Sequence, residues 1–178
     1  METTRTKQQN MYEILKDKFG YKNIMQTARV IKVVVNVGTG SIKDKSKLEI
    51  IPDRLTKITG QKPSSRGAKK SIATFKLRQG DAIGFMVTLR GERMNLFLDK
   101  LINVAIPRTR DFKGISRSAI DEMGNLTIGI KEHTIFPETS DEDLRNVFGL
   151  SITLVSSTKN REEAEKLFES LGVPFKKK

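Results

Sequence analysis

The chain has 178 residues, in which 33 Lys and Arg outnumber 21 Asp and Glu, giving a net charge of +12. It contains no cysteine, one histidine and no tryptophan, which excludes disulfides, thiol chemistry and cysteine-based zinc sites. This positive surplus is typical of proteins that bind a polyanion, with nucleic acid as the first candidate and an anionic membrane as the second. No run approaches the roughly 18 apolar residues of a membrane-spanning helix, and the N-terminus lacks a signal or transit pattern, so we expect a cytoplasmic protein without a membrane partner.

The first half of the chain predicts two helices and a strand. Apolar residues spaced through Thr6–Phe19 indicate an amphipathic helix that Gly20 ends. The β-branched run Val30–Val37 predicts a strand. A second helix follows, either kinked at Pro52 or beginning near Ile51, and its apolar positions are Leu48, Ile51, Leu55 and Ile58.

The second half predicts three strands and two helices. Met94–Ala105 carries apolar residues at helical spacing, and Pro107 closes this helix. The last helix begins at Asn160–Glu163, which resembles a capping box, and it ends before Gly172. The strands are predicted at Ala82–Arg90, Asn125–Glu132 and Gly149–Ser156.

Helices and strands intermix without a regular βα repeat, which favours an α+β fold. We predict a single domain over residues 1–178, with an antiparallel sheet and helices packed on one of its faces. Alternation puts apolar residues on one side of every strand, and in the first strand these are Ile31, Val33, Val35 and Val37.

The other face of each predicted strand offers hydroxyls, an amide and a few cations, but no carboxylate. Exposure to solvent alone would account for this polar composition as well as binding to a ligand would. A surface of short donors with scattered positive charge also suits RNA, because it can contact 2′-hydroxyls and phosphates across a shallow minor groove.

A long basic loop, residues 62–80, separates the second helix from the next strand. No acidic residue lies between Gly60 and Gly80, and a connection of this length is rarely passive. Mutual repulsion predicts that the loop is mobile until a partner orders it. A solvated run of charge is the alternative, but the missing acids favour an RNA-reaching arm with Phe75 near its apex. Its cations are Lys62, Arg66, Lys69, Lys70, Lys76 and Arg78.

No enzyme motif is complete. The glycines of Val37–Ser46 follow a strand, but Lys43 stands where both the P-loop and the dinucleotide pattern need glycine, so we predict a tight turn. His133 has no partner at a catalytic spacing and is predicted to be a partly exposed surface residue. The acidic residues around Asp141 precede a short predicted helix and lack the spacing of a metal site. We therefore predict no catalytic residue, no metal and no cofactor.

Nine short stretches occur in a fixed order over nearly the whole chain, from about residue 6 to 175. They are Val35–Gly40, Thr59–Pro63, Ala68–Gly80, Val87–Met94, Leu101–Arg108, Asp111–Gly114, Gly129–Glu132, Ile135–Glu138 and Leu171–Phe175. Together they resemble the bacterial form of large-subunit ribosomal protein five, the family that binds 5S rRNA in the central protuberance. The chain departs from that family at Pro52, inside a helix that is normally regular, and at Ser64–Gly67, where the entry to the arm is usually apolar.

The resemblance implies that the polar strand face binds 5S rRNA. It assigns the RNA contacts to Asn36, Gln61 and Thr88. It assigns neighbouring phosphate contacts to Lys32, Lys62 and Arg90. Two other classes of protein share the charge: a promiscuous RNA chaperone, and a metal-dependent nuclease using the acids near Asp141. The order of the motifs disfavours both.

The resemblance also implies further partners in the ribosome, in the cytoplasm. These are large-subunit rRNA, neighbouring large-subunit proteins, P-site tRNA and a small-subunit head protein. The tRNA would contact the loop residues Lys69, Lys70, Thr74, Phe75, Lys76, Arg78 and Gln79. An intersubunit bridge with the small-subunit head would use Arg108, Arg110 and Lys113.

Overall fold

The computed structural model describes residues 3–40, 42, 45–139 and 147–176. These residues form an open five-stranded antiparallel sheet with strand order β2-β3-β1-β5-β4, together with four helices. The predicted α+β class is therefore confirmed. The helices are α1 Thr4–Phe19, α2 Lys45–Thr59, α3 Gly91–Lys100 and α4 Arg161–Leu171, and the strands are β1 Val30–Gly38, β2 Ser64–Gly67, β3 Ala82–Leu89, β4 Leu126–Ile130 and β5 Leu150–Ser156.

The helices lie where the apolar spacing predicts them, with two refinements. Helix α2 runs through Pro52 and begins at Lys45, so a start near Ile51 is wrong. Helix α3 continues into a π-helical turn over Leu101–Ala105, which keeps the predicted stretch helical but with a wider turn. Gly20, at φ +66°, ends α1 and donates its N–H to the Lys16 carbonyl at 2.8 Å.

Burial alternates regularly along β4 and β5, but β1 and β3 depart from alternation in their first halves and all four residues of β2 are exposed. In β4 and β5 every second residue is buried, beginning with the first. In β1, Val30 is buried whereas Ile31 is 43% exposed, and regular alternation starts only at Val33. Ile31 is therefore exposed, although strand alternation groups it with the buried Val33, Val35 and Val37.

The described residues group into two compact units. Unit 1 comprises those within 1–33, 89–128 and 153–178, and unit 2 those within 34–88 and 129–152. The single domain over residues 1–178 stays a prediction.

Unit 1 is held together by contacts of α1 with α3 and α4. The Thr4 backbone N–H and hydroxyl both donate to one carboxylate oxygen of Asp99, at 2.7 and 2.5 Å. The Lys7 ammonium donates to the Leu171 carbonyl at 3.1 Å, where α4 ends. The start of α1 is thus fixed to both neighbouring helices.

Unit 2 contains the single histidine, and its environment corrects the prediction of a surface residue. His133 is only 2% exposed, and its ring stacks on Phe148 with centroids 4.1 Å apart. Its Nδ1 accepts the Phe148 backbone N–H at 3.4 Å. Burial, followed by the nearby charge of Arg54, lowers the pKa of His133. This histidine is a neutral core residue.

We expect the buried His133 to make unit 2 less stable in acid. Because its folded pKa is below the ordinary value of 6.5, the unfolded chain takes up the proton first. The stability that the neutral ring provides is complete above pH 6.5 and falls as the pH drops below it, by at most about 1.4 kcal/mol per pH unit. Urea unfolding at pH 7.5 and 5.5 measures this, and His133→Asn should remove that part of the loss. An equal acid loss in the variant would contradict the prediction.

A second prediction concerns the close approach of β3 to β1 at Gly84. A Cβ added there would lie 2.8 Å from the Val37 carbonyl oxygen, a backbone atom that cannot move aside. We expect Gly84→Ala to destabilise the fold by about 1–3 kcal/mol in urea unfolding. Gly129→Ala is the control, because an added Cβ meets nothing within 4 Å there. Equal losses of unfolding free energy in Gly84→Ala and Gly129→Ala would show that β1 and β3 leave room for a Cβ at Gly84.

Candidate nucleic-acid interface

Gln61 owes its position to the end of α2. Gly60, at φ +67°, ends the helix and donates its N–H to the Thr56 carbonyl at 2.8 Å. The chain then turns toward β3, where the Gln61 side-chain amide donates to the Thr88 carbonyl at 3.4 Å. Two of the three residues predicted to contact RNA are thus joined directly within unit 2.

Asn36, the third of these residues, is exposed on β1, the strand next to β3. Its backbone carbonyl accepts the Ser151 hydroxyl of β5 at 3.4 Å. Within the described ranges, neither the Asn36 amide nor the Thr88 hydroxyl has a hydrogen-bond partner. We call Asn36, Gln61 and Thr88 the donor surface of unit 2, since it keeps hydrogen-bonding groups open to a ligand.

The three predicted phosphate partners divide between the units. Lys62 follows Gln61 in unit 2 and is exposed. Lys32 is half-buried on β1 and Arg90 is exposed at the N-cap of α3, and both belong to unit 1. None of the three forms an ion pair with a described acidic residue, so their charges are available to an anion.

The basic loop 62–80 has more structure than the sequence predicts. It begins with β2, an edge strand that pairs antiparallel with β3, with a register shift between Arg66 and Gly67. Beyond the strand, Ala68 donates to the Asp81 carbonyl at 2.8 Å and accepts from Gly80 at 3.0 Å. The loop is therefore a hairpin-like arm, and its mobility in the free protein stays a prediction.

The tip of the arm is a tight turn. Ile72 and Leu77 exchange two backbone hydrogen bonds, at 3.0 and 3.2 Å, around a 3-10 turn at Ala73–Phe75. Lys76 follows in the left-handed conformation at φ +54°. Phe75 is 68% exposed, so the apex presents an aromatic ring to solvent.

The remaining predicted arm residues surround this turn. Asp81, which directly follows the arm, accepts the Arg78 backbone N–H at 2.8 Å. The Ser71 hydroxyl accepts the Gln79 N–H at 2.9 Å. The predicted tRNA-contacting residues are all exposed: Lys69, Lys70, Thr74, Phe75, Lys76, Arg78 and Gln79.

The three predicted bridge residues lie on one irregular segment of unit 1, residues 107–113, which we call the basic segment. It follows the π-helical turn and includes Asp111 at φ +52°. Its cations are exposed: Arg108, Arg110 and Lys113.

Two contributors to these surfaces were not singled out from the sequence. Ser151 holds the Asn36 backbone, although strand alternation had already placed it on the polar face. Asp81 organises the arm but lies one residue beyond the acid-free run that drew attention to it. The alternation of buried and exposed strand residues would identify Ser151, whereas no local sequence pattern identifies Asp81.

Two negative findings concern the part of the chain that the structure describes. It contains no group of three or more His, Cys, Asp or Glu side chains that could hold a metal ion. It also contains no helix long and apolar enough to cross a membrane. Asp141, Glu142 and Asp143 lie outside the described residues, as do Ser41, Lys43 and Asp44 of the predicted glycine turn.

Comparison with known proteins identifies the class first: the chain is similar to ribosomal proteins along most of its length. A family model described as ribosomal protein L5 matches residues 23–78, and a second model, for the C-terminus of the same ribosomal family, matches residues 82–175. The large ribosomal subunit protein uL5 of Natranaerobius thermophilus is 53% identical over 162 residues, covering 90% of each chain. That of Desulfatibacillum aliphaticivorans is 50% identical and covers 99% of this chain and 100% of the relative.

The chain belongs to the ribosomal protein L5 family, as the ordered motifs predict. Members of this family are structural proteins of the ribosome in the cytoplasm, and they are not enzymes.

Proposed function

We propose that this chain is a structural constituent of the large ribosomal subunit that anchors 5S rRNA on the donor surface of unit 2. Its relatives are named large ribosomal subunit proteins, which supports the assembly. The observation that carries the RNA contact is the pairing of Gln61 with Thr88, on a strand next to the exposed Asn36. Amides and hydroxyls held on strands suit an RNA helix of fixed shape, because they can reach 2′-hydroxyls and base edges of a minor groove.

The three predicted phosphate partners would add affinity without sequence information. Lys62 in unit 2, and Lys32 and Arg90 in unit 1, are free of ion pairs with described acids. Contacts from such side chains to phosphates fix the register of an RNA and make binding depend on salt. We assign these three residues to 5S rRNA phosphates.

The arm is proposed to contact P-site tRNA. Its apex combines the exposed ring of Phe75 with cations that form no ion pair with a described acid. An aromatic ring packs on a sugar or base while cations hold the backbone, a combination used by proteins that bind unpaired or exposed nucleotides. The hydrogen bonds across Ile72 and Leu77 would hold this apex clear of the sheet edge.

The basic segment of unit 1 is proposed to form a bridge with a small-subunit head protein. Its three cations are exposed on one short stretch, and such a surface fits a partner rich in carboxylates. Large-subunit rRNA and neighbouring large-subunit proteins would take up further parts of the basic surface.

Binding of the purified protein to 5S rRNA, to a tRNA and to an unrelated hairpin, across a salt series, tests the central assignment. We expect 5S rRNA to bind on the order of a thousandfold more tightly than the hairpin, with the preference persisting as salt rises. Three RNAs that bind alike and weaken together would instead favour a promiscuous RNA chaperone, and the 5S assignment would be lost.

A further inference from the structure

The basic segment is fixed by hydrogen bonds at its two ends within the described part of unit 1. Near its start, Thr109 donates its backbone N–H to the Ile106 carbonyl at 3.0 Å. Among the described residues, positions 110–114 take part in no hydrogen bond or ion pair. The next hydrogen bonds are those of Ile115, so whatever holds Ile115 fixes the far end of the segment.

Ile115 is held by the last described residues of the chain. Its N–H donates to the Pro174 carbonyl at 2.8 Å, and its carbonyl accepts the Lys176 N–H at 2.9 Å. Together these bonds form a one-residue parallel bridge with Phe175. We call Val173–Lys176 the C-terminal clip, because it closes on Ile115 from both sides.

The clip passes so close to the preceding residue that only glycine fits there. Gly114 has φ +89°, and an added Cβ would lie 2.8 Å from the Lys176 nitrogen and 3.0 Å from the Phe175 carbonyl carbon. Both the backbone conformation and the approach of a second backbone therefore require a residue without a side chain. The junction of basic segment and clip is closely packed.

Arg117 fastens the clip to α4. Its guanidinium lies 5.6 Å from the centroid of the Phe175 ring, at a distance typical of a cation–π contact. The same group forms ion pairs with Glu165 and, at 3.6 Å, with Glu169. The Arg117 carbonyl accepts a guanidinium N–H of Arg161 at 3.2 Å. One side chain thus bridges the clip and a helix of the core.

We propose that the C-terminal clip is a positioning element, which holds residues 110–115 in one conformation and so presents the basic segment pre-formed. The positioning is a property of the free chain, while its consequence for subunit association rests on the proposed function of the basic segment. A segment that is already ordered loses less conformational entropy when it binds. The clip therefore strengthens an interface that it does not itself touch.

The test compares two shortened chains by amide hydrogen exchange without any partner. One ends at Val173 and lacks the clip bonds, and the matched control ends at Lys176 and keeps them. We expect the Ile115 N–H, which donates to the Pro174 carbonyl in the intact chain, to exchange at least about tenfold faster in the first chain. Unit 2 and helix α1 should keep their protection, and the control should match the intact chain.

Gly114→Ala provides the second variant, because it opens the same junction with every charge retained. It also decides the matter if the chain ending at Val173 does not fold. We expect the same local gain in exchange at Ile115. Unchanged protection of Ile115, or a loss spread evenly over unit 1, overturns the proposal.

Measuring the association of reconstituted ribosomal subunits distinguishes a failure of the positioning proposal from a failure of the proposed intersubunit bridge. The triple variant Arg108→Gln, Arg110→Gln and Lys113→Gln removes the contacts but not the clip. If it leaves association unchanged while Gly114→Ala loosens Ile115, the bridge is wrong and the positioning stands. If the triple variant weakens association while Ile115 stays protected without the clip, the bridge stands and the positioning is wrong.

Discussion

Replacing Asn36, Gln61 and Thr88 together by alanine should lower the affinity for 5S rRNA by roughly a hundredfold. Each lost hydrogen bond contributes about 1 kcal/mol, and about 1.4 kcal/mol corresponds to a factor of ten. Affinity for an unrelated hairpin should change little, because the cations that dominate nonspecific binding remain. The variant should therefore lose discrimination among RNAs more than it loses binding, which competition at fixed salt measures directly.

The control for this triple variant must remove the same chemical groups elsewhere. Asn103→Ala, Gln9→Ala and Thr6→Ala take away two amides and a hydroxyl from exposed positions of unit 1. Thermal melting of both variants is needed, since Gln61 also donates to the Thr88 carbonyl and its loss removes a bond within unit 2. Equal losses of 5S affinity in the two variants would show that the donor surface has no special part in recognition.

The regular elements could be predicted because local pattern decides them. The last helix illustrates this: Asn160 caps it as expected, with its side-chain oxygen accepting the Glu162 N–H at 3.0 Å. Even there the reciprocal half of the capping box is absent. Glu163 accepts the Thr158 hydroxyl, and that hydroxyl oxygen in turn accepts the Asn160 N–H at 3.0 Å. The Glu163 carboxylate therefore bonds to the Thr158 hydroxyl instead of to the Asn160 N–H.

The errors occur where non-local contacts decide the outcome. His133 is buried because Phe148, fifteen residues further on, covers its ring and supplies a hydrogen bond. Strand β2 has no apolar alternation to reveal it, since all four residues Ser64–Gly67 are exposed and pairing with β3 alone defines it. Sequence patterns carry no signal for either feature.

The candidate site likewise depends partly on local sequence pattern, which is predictable, and partly on contacts that only the fold creates. Strand alternation places Asn36 and Thr88 on a polar face, but it does not bring Gln61 to Thr88. That neighbourhood depends on Gly60 turning the chain at the end of α2 toward β3. The resemblance to a known family selected Gln61, and the hydrogen bond between the two residues supplies a physical reason for that selection.

Neutralising the arm should separate tRNA contact from 5S anchoring. In Lys69→Gln, Lys70→Gln and Lys76→Gln, three exposed cations are lost while the backbone bonds of the arm remain. Counterion release predicts that the salt dependence of an RNA contacting all three falls by about 2–3 in the slope of log affinity against log salt. We expect this reduction for P-site tRNA on reconstituted large subunits, with a drop in tRNA affinity of about tenfold or more.

The affinity of the free protein for 5S rRNA should stay within about twofold in the same variant, because the arm cations belong to a different surface from Asn36, Gln61 and Thr88. Removing three charges from helices of unit 1, in Lys16→Gln, Lys18→Gln and Lys166→Gln, controls for the change in net charge. A large loss of 5S affinity from the arm variant alone would mean that the arm grips 5S rRNA itself. The two surfaces would then act as one, and the separate contact with tRNA would have no support.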